Sequence, residues 1–291
     1  MFPPLRYLLC SALLLFVASP NQVAQQAPSS PPPGKPQVRV FCVAVATDGS
    51  LESPSLMSAT IDKQPVQITS LRSAKDDKLL FALLLDLSTS QASKSAQIKD
   101  AAWQLFERLA ADGNQGYLVE FDTDVRMSKT PLRLSEVQWN LDRTAFGGGT
   151  SLYDAIWKTC KQVLSKSGNP QFPRRAIIVL SDGDDNQSRI KRKEAIETAE
   201  KEGVAIFSLV TSSPRSPGRQ FLRDASRATG GLETTQKEIP DGVTTLLSAI
   251  DSQLAIGLDS PVAPDQKLHV FEITTSKKDV QLSAPAHILA Q

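Results

Sequence analysis

Leu79-Leu80-Phe81-Ala82-Leu83-Leu84-Leu85-Asp86-Leu87-Ser88-Thr89-Ser90 decides how this chain is read. The unbroken apolar run at its start fits a strand covered on both faces, the usual state of a strand inside a parallel sheet. Asp86, Ser88 and Ser90 leave the end of that strand within five residues. They form a compact set of hard oxygen donors of the kind a magnesium-like cation accepts. Two further pieces follow. Gly147-Gly148-Gly149-Thr150 carries another hydroxyl on a glycine-rich loop, and Ala176-Ile177-Ile178-Val179-Leu180-Ser181-Asp182-Gly183 carries a second strand-end carboxylate.

From residue 79 onward strands and helices alternate. Segments 79–85, 116–121, 176–180 and 204–210 read as strands. Between and after them, Ile98, Ala101, Ala102, Leu105, Phe106 and Leu109 repeat at helical spacing. Leu152, Ala155, Ile156, Thr159, Cys160, Val163 and Leu164 do so again, as do Phe221, Leu222, Ala225 and Ala228, and then Val243, Leu246, Leu247, Ile250 and Leu254. Alternating β and α elements imply an α/β, Rossmann-like, doubly wound and mostly parallel sheet. Ligands of such sheets bind beyond the carboxyl ends of the strands, where the strand order reverses.

The three pieces, in this order, resemble the von Willebrand factor A domain and its metal-ion-dependent adhesion site. That family's pattern is D-x-S-x-S, then a separate Thr, then an Asp after a later strand. Asp86, Ser88, Ser90, Thr150 and Asp182 match it. The resemblance extends over residues 79–254, and the words around Thr150 and Asp182 look most like a secreted bacterial subgroup of the family. It implies a divalent cation, Mg²⁺ first with Mn²⁺ or Ca²⁺ as alternatives, held by those five residues. It also implies a partner protein whose acidic residue completes the coordination sphere. The chain is accordingly expected to be an adhesion or assembly module and not an enzyme. Two alternatives stand beside this reading: a structural scaffold with a non-functional metal site, and a metal-assisted phosphoesterase using Asp86 and Asp182.

Local readings compete at several positions. Ser88 and Ser90 could cap the helix that follows. The glycines could be a plain turn, or could let Thr150 approach a cation. Ser181 is a candidate donor behind the site. Asp184 and Asp185 are expected to be solvated, and Arg189, Lys191, Arg192 and Lys193 to form a solvated helix face.

Lys and Arg number 32 against 31 Asp and Glu, a net charge of +1, so nothing argues for a nucleic-acid groove. The two histidines, His269 and His287, lie in the last part of the chain, which leaves no His for a catalytic triad near Asp86. Neither a P-loop nor a G-x-S-x-G elbow nor G-x-G-x-x-G occurs.

Arg6 followed by the apolar Tyr7 to Ala18 reads as a secretion signal, here 1–24, with Ala24 a candidate last residue and a retained anchor as the alternative. Cys10 has no small residue before it, which argues against lipoprotein processing. A Pro-rich linker follows at 25–37, then an N-terminal β flank at 38–77, with Asp48-Gly49 as a turn and 56–61 and 65–71 as shorter strands. The A domain spans 78–256, and a C-terminal β flank, with strands at 267–274 and 279–282, spans 257–291. The flanks are expected to pair into a small accessory β-unit, or else to add edge strands to the main sheet. The protein is expected to be secreted, periplasmic or in the cell envelope. Cys160 falls on a buried helix stripe, so a core thiol is expected in preference to a disulfide with Cys42.

Overall fold

The structure is a computed structural model that describes residues 37–46, 57–165, 168–212, 216–235, 238–259, 262, 265–278 and 280–289. The expected secretion signal, nearly all of the linker and the Asp48-Gly49 turn lie outside the described residues.

Six strands form the central sheet. They are β5 (Leu79–Asp86), β6 (Gln115–Phe121), β7 (Val125–Met127), β8 (Arg174–Ser181), β9 (Ala205–Val210) and β10 (Glu233–Thr234), in the order β10-β9-β8-β5-β6-β7. All neighbours are parallel except β6 and β7. β5 sits in the middle because every one of its eight residues is buried. Its side chains alternate between two cores. Leu79, Phe81, Leu83 and Leu85 pack toward α1 (Ser95–Leu109), α2 (Leu134–Arg143) and α6 (Ile239–Asp251). Leu80, Ala82 and Leu84 pack toward α3 (Leu152–Gln162), α4 (Arg192–Glu202) and α5 (Pro217–Ala228). A strand without a solvent face has no use for polar residues, which explains the unbroken apolar run. The result is three layers, helix, sheet, helix.

The flanks build a second, all-β unit. β1 (Gln37–Ala46), β4 (Ile68–Ser73), β11 (Gln253–Asp259) and β13 (Val280–Ser283) form one sheet, ordered β13-β1-β11-β4. β2 (Met57–Ile61), β3 (Gln64–Val66), β12 (Leu268–Thr275) and β14 (His287–Leu289) form another, ordered β14-β12-β2-β3. The two share a core that includes Val38, Val40, Cys42, Ala59, Ile61, Ile256, Leu258 and Phe271. Both chain ends therefore contribute to one β-unit, and none of these strands joins the central sheet. β11 crosses the boundary expected at 256/257 and belongs to the accessory sheet along its whole length. Cys42 and Cys160 are free, buried, and lie in different cores. Burial pushes the Cys42 thiol up to about 12 and raises Cys160 as well.

Candidate metal centre

β5 and β8 are parallel neighbours, with Leu85 opposite Leu180. The chain passes from β5 to β6 on one side and later returns to β8 on the other, so the strand order reverses between β5 and β8. That reversal opens a crevice at their carboxyl ends. Asp86 closes β5, and Asp182 follows β8 directly.

Hydrogen bonds link four of the five expected ligands. Ser90 Oγ donates to Asp182 Oδ2 at 2.6 Å and lies 3.0 Å from Ser88 Oγ. Asp86 Oδ1 accepts the Ser88 amide at 2.9 Å. Thr150 enters through backbone ties. Its amide donates to Asn186 Oδ1 at 2.9 Å, and its carbonyl accepts the amides of Asn186 and Gln187. Gly147 N donates to Leu87 O and Thr89 N to Gly148 O, which fastens the glycine loop to the Asp86 loop. The Thr150 hydroxyl has no hydrogen-bond partner among the described residues.

The capping alternative for the serines is not what the structure contains. Ser88 precedes a 3₁₀ turn, Thr89–Lys94, without a side-chain cap, and its hydroxyl faces Ser90. The glycine loop has a steric reason. A Cβ on Gly149 would stand 2.5 Å from Gln187 Cγ and 2.8 Å from Asn186 Oδ1. The missing side chain lets the Asp182 loop close over Thr150.

Both carboxylates are nearly or wholly out of solvent, Asp86 at 0% and Asp182 at 7% exposure. Burial, with Asp182 adding a smaller repulsion, pushes the Asp86 carboxyl up to about 6 against the hydrogen bonds from Ser181 and Ser88. Among the described residues neither carboxylate forms an ion pair. Two buried acids without a counter-cation are costly unless a cation joins them. The donor set is two carboxylates and three hydroxyls, all hard oxygen, with lone pairs in excess of the hydrogen bonds received. These residues fit a small hard divalent cation.

Supporting residues were partly legible. Ser181 donates to Asp86 Oδ2 at 2.6 Å, the role expected of it. Gln91 was not singled out by any motif, yet it is 2% exposed and spans the site. Its Nε2 donates to Asp182 Oδ2 at 2.6 Å, and its Oε1 accepts from Thr211 Oγ1 at 2.6 Å. Its three-residue offset from Ser88 was the available clue. Asp184 is exposed as expected, but Asp185 departs from the expectation. Asp185 accepts the amides of Tyr153 and Ser188 and the Ser188 hydroxyl. A carboxylate there is favoured by the free amides and dipole of the α3 amino end. Arg189, Lys191, Arg192 and Lys193 are exposed as expected, and Arg192 in addition pairs with Asp224 and lies over the Phe221 ring, 5.7 Å from its centroid.

Comparison with known proteins agrees with this fold. The model of the von Willebrand factor type A domain matches residues 81–227, half of the chain. Proximal thread matrix protein 1 from the mussel byssus superposes with a TM-score of 0.51 at 15% identity, over 64% of this chain and 49% of that one. A von Willebrand factor type A protein from Catenulispora acidiphila gives 0.50 at 11% identity, over 88% and 74%. An aerotolerance-related membrane protein from Bacteroides fragilis NCTC 9343 gives 0.47 at 14% identity, over 60% and 98%. At these identities the first two likenesses concern the fold alone, and the third is too distant to add to them. No curated protein matches the sequence.

Proposed function

The chain belongs to the von Willebrand factor type A domain family, whose members are generally protein-interaction and adhesion modules, and from that premise we propose that it binds a partner protein through a divalent cation. Mg²⁺ is the first candidate, held by Asp86, Ser88, Ser90, Thr150 and Asp182. The observation that carries this reading is the pair of buried carboxylates with no ion-pair partner among the described residues, joined through hydroxyls at the strand-order reversal.

When bound, the cation supplies a coordination position for an acidic oxygen of the partner. Every other part of the task falls to the protein. Asp86 and Asp182 carry a charge of −2, which the cation cancels, so an incoming carboxylate meets little repulsion. Ser88, Ser90 and Thr150 add donors without charge. Ser181 and Gln91 fix the orientation of the two carboxylates through the bonds described above. Supporting groups of this kind tune a metal's affinity. Among the described residues the hydroxyl-rich crevice offers no general base beyond the two acids and no cationic clamp for a phosphate, so binding is the better-supported reading over phosphoester hydrolysis.

Export belongs to the same proposal and rests on Arg6, the apolar segment after it and the Pro-rich stretch. Among the described residues, no helix is long and apolar enough to cross a membrane.

Calorimetry with Mg²⁺ on the wild type and on Asp86→Ala tests the metal. Binding by the wild type alone is expected, and equal affinity in both proteins would refute the assignment. A pull-down from the native envelope or medium then tests the function. The partner is expected in Mg²⁺ and absent in EDTA and with Thr150→Ala. A partner retained through both treatments would place the contact elsewhere.

A further inference from the structure

A cleft of about 500 Å³ lies at the opposite end of β8 from the metal centre. Arg174 and Arg175 open that strand, while Ser181 ends it and Asp182 follows, roughly 23 Å away at the rise of a β-strand. The cleft is lined by Val38, Arg39, Val40 and Phe41 of β1 and by His287, Ile288 and Leu289 of β14. Successive side chains of a strand point to opposite faces. A cavity that touches consecutive residues of two strands therefore runs along their edges.

Among the described residues both edges are open there. β13 covers β1 only at Val43 to Ala46, so residues 38–41 have β11 on one side and, among the described residues, no strand on the other. β14 pairs with β12 and stands at the end of its sheet. An uncovered strand edge presents a row of N–H and C=O groups ready to pair with another extended chain.

The charge of the lining chooses the partner's chemistry. Arg39, Arg174, Arg175 and Lys201 line the cleft against one carboxylate, Glu200, which is held by His287 Nδ1 at 2.7 Å. Arg174 is fully occupied by the protein. Arg175 is 8% exposed; its Nε donates to Glu202 O at 3.2 Å and its Nη1 to Phe172 O at 3.0 Å. Among the described residues its Nη2 has no hydrogen bond, and the guanidinium forms no ion pair. A buried guanidinium with one free arm is suited to a carboxylate.

We propose that this cleft is a docking groove for an extended peptide of a partner, which adds as a strand to residues 38–41 of β1 and sets a carboxylate on Arg175. About four residues span the open edge, some 13 Å. The Pro-rich stretch before Gln37 has a sequence poorly suited to such a strand. Pro28, Pro31, Pro32, Pro33 and Pro36 lack the N–H groups a ladder needs. The groove is independent of the metal.

The test is equilibrium dialysis of the full chain, in EDTA throughout, against a pentapeptide pool that is random at four positions and ends in Asp with a free C-terminus. Mass spectrometry reads which sequences are retained. A retained subset is expected, with retention about tenfold lower when the C-terminal carboxylate is amidated, and lost when alternate peptide nitrogens are methylated. Arg175→Gln should reproduce the amidation loss and add nothing to the amidated pool. Its unfolding curve reports whether it folds. Arg39→Gln, on an exposed side chain, serves as the second variant, with about a threefold loss expected. No retained peptide at millimolar pool, equal retention of the amidated or methylated pools, or no response to both variants would overturn the proposal.

Discussion

Arg174→Met should cost this protein a large part of its stability while leaving the candidate metal centre intact. Arg174 is 5% exposed and reaches three parts of the fold. Its Nε and Nη2 donate to Gln253 Oε1 at 3.1 and 2.9 Å, at the start of β11. Nη2 also donates to Ile250 O at 2.7 Å, near the end of α6, and Nη1 to Ala74 O at 3.1 Å, between β4 and β5. The guanidinium thus ties the α/β layers to the accessory sheet. Methionine fills a similar volume and relieves the desolvation that holds the Arg174 pKa below its ordinary value. It also strands the buried Gln253 oxygen and weakens two carbonyls. Leaving a buried acceptor unsatisfied costs about 1–3 kcal/mol, and hydrogen bonds from a charged donor are themselves worth about 1.5–3 kcal/mol, against a total stability of about 5–15 kcal/mol. Urea unfolding followed by circular dichroism measures the loss. A double-mutant cycle with Gln253→Ala should return a coupling of about 1–3 kcal/mol. Arg174→Lys should recover only part of the loss, since one ammonium cannot reproduce the fork. A loss below about 1 kcal/mol, or no coupling to Gln253, would show that the clamp contributes little.

Gln91→Leu should lower Mg²⁺ affinity by about 10- to 100-fold in calorimetry, because it removes the donor that orients Asp182 and leaves Thr211 unpaired. Unchanged affinity would remove Gln91 from the site. Gly183→Ala should destabilise by at least about 2 kcal/mol in thermal unfolding: Gly183 has φ +87°, and a Cβ there would lie 2.2 Å from Gly218 O. A neutral effect would mean that the loop after Asp182 relaxes freely. His269 should titrate above its ordinary value, because Asp62 at 2.7 Å and Asp265 at 3.0 Å bond its two ring nitrogens. The stability this gives is complete below the unfolded histidine pKa and is lost as pH rises through the folded one. Asp62 and Asp265 are lowered, chiefly by the same hydrogen bonds, so their share is present above the unfolded carboxylate range and lost as pH falls through their folded values. The triad therefore stabilises between those limits. An NMR titration in which Asp62→Asn leaves the His269 midpoint unmoved would contradict this.

What could be read from the sequence follows from which residues act through their own pattern and which through their neighbours. β5, β8 and β9 were legible because burial on both faces leaves an unbroken apolar run, and α1 and α3 because their buried stripes are large and aliphatic. α4 showed only as a charged helix face and not as an apolar stripe, since its buried face is Ala195, Thr198, Ala199 and Glu200 among charged residues, and the period disappears when the packing residues are small or polar. β7, β10 and β14 are two or three residues long, and their conformation comes from the strand or loop beside them. The same division holds at the site. Five oxygen donors stand in a recognisable order along the chain, whereas Gln91, Asn186 and Asp185 take their roles from loops that meet only after folding.

β8 shows how far one segment carries the argument. Arg174-Arg175-Ala176-Ile177-Ile178-Val179-Leu180-Ser181-Asp182 places two cations at one end of a buried strand and an acid at the other. The apolar middle forces the strand through the core, so the charged residues emerge at opposite ends of the sheet. At the carboxyl end Asp182 meets Asp86, and negative charge accumulates without an ion-pair partner among the described residues. At the amino end the two arginines turn toward carbonyls of α4, α6 and the β4–β5 connection, and one arm of Arg175 is left over. Each end thus concentrates one sign of charge where water is largely excluded, and each suits a ligand of the opposite sign. Because the rigid strand separates them, substitutions at Asp182 and at Arg175 should act independently, with their effects on metal and peptide binding adding without coupling. A measured coupling between them would mean that the two ends of β8 communicate and that the sites are not separate.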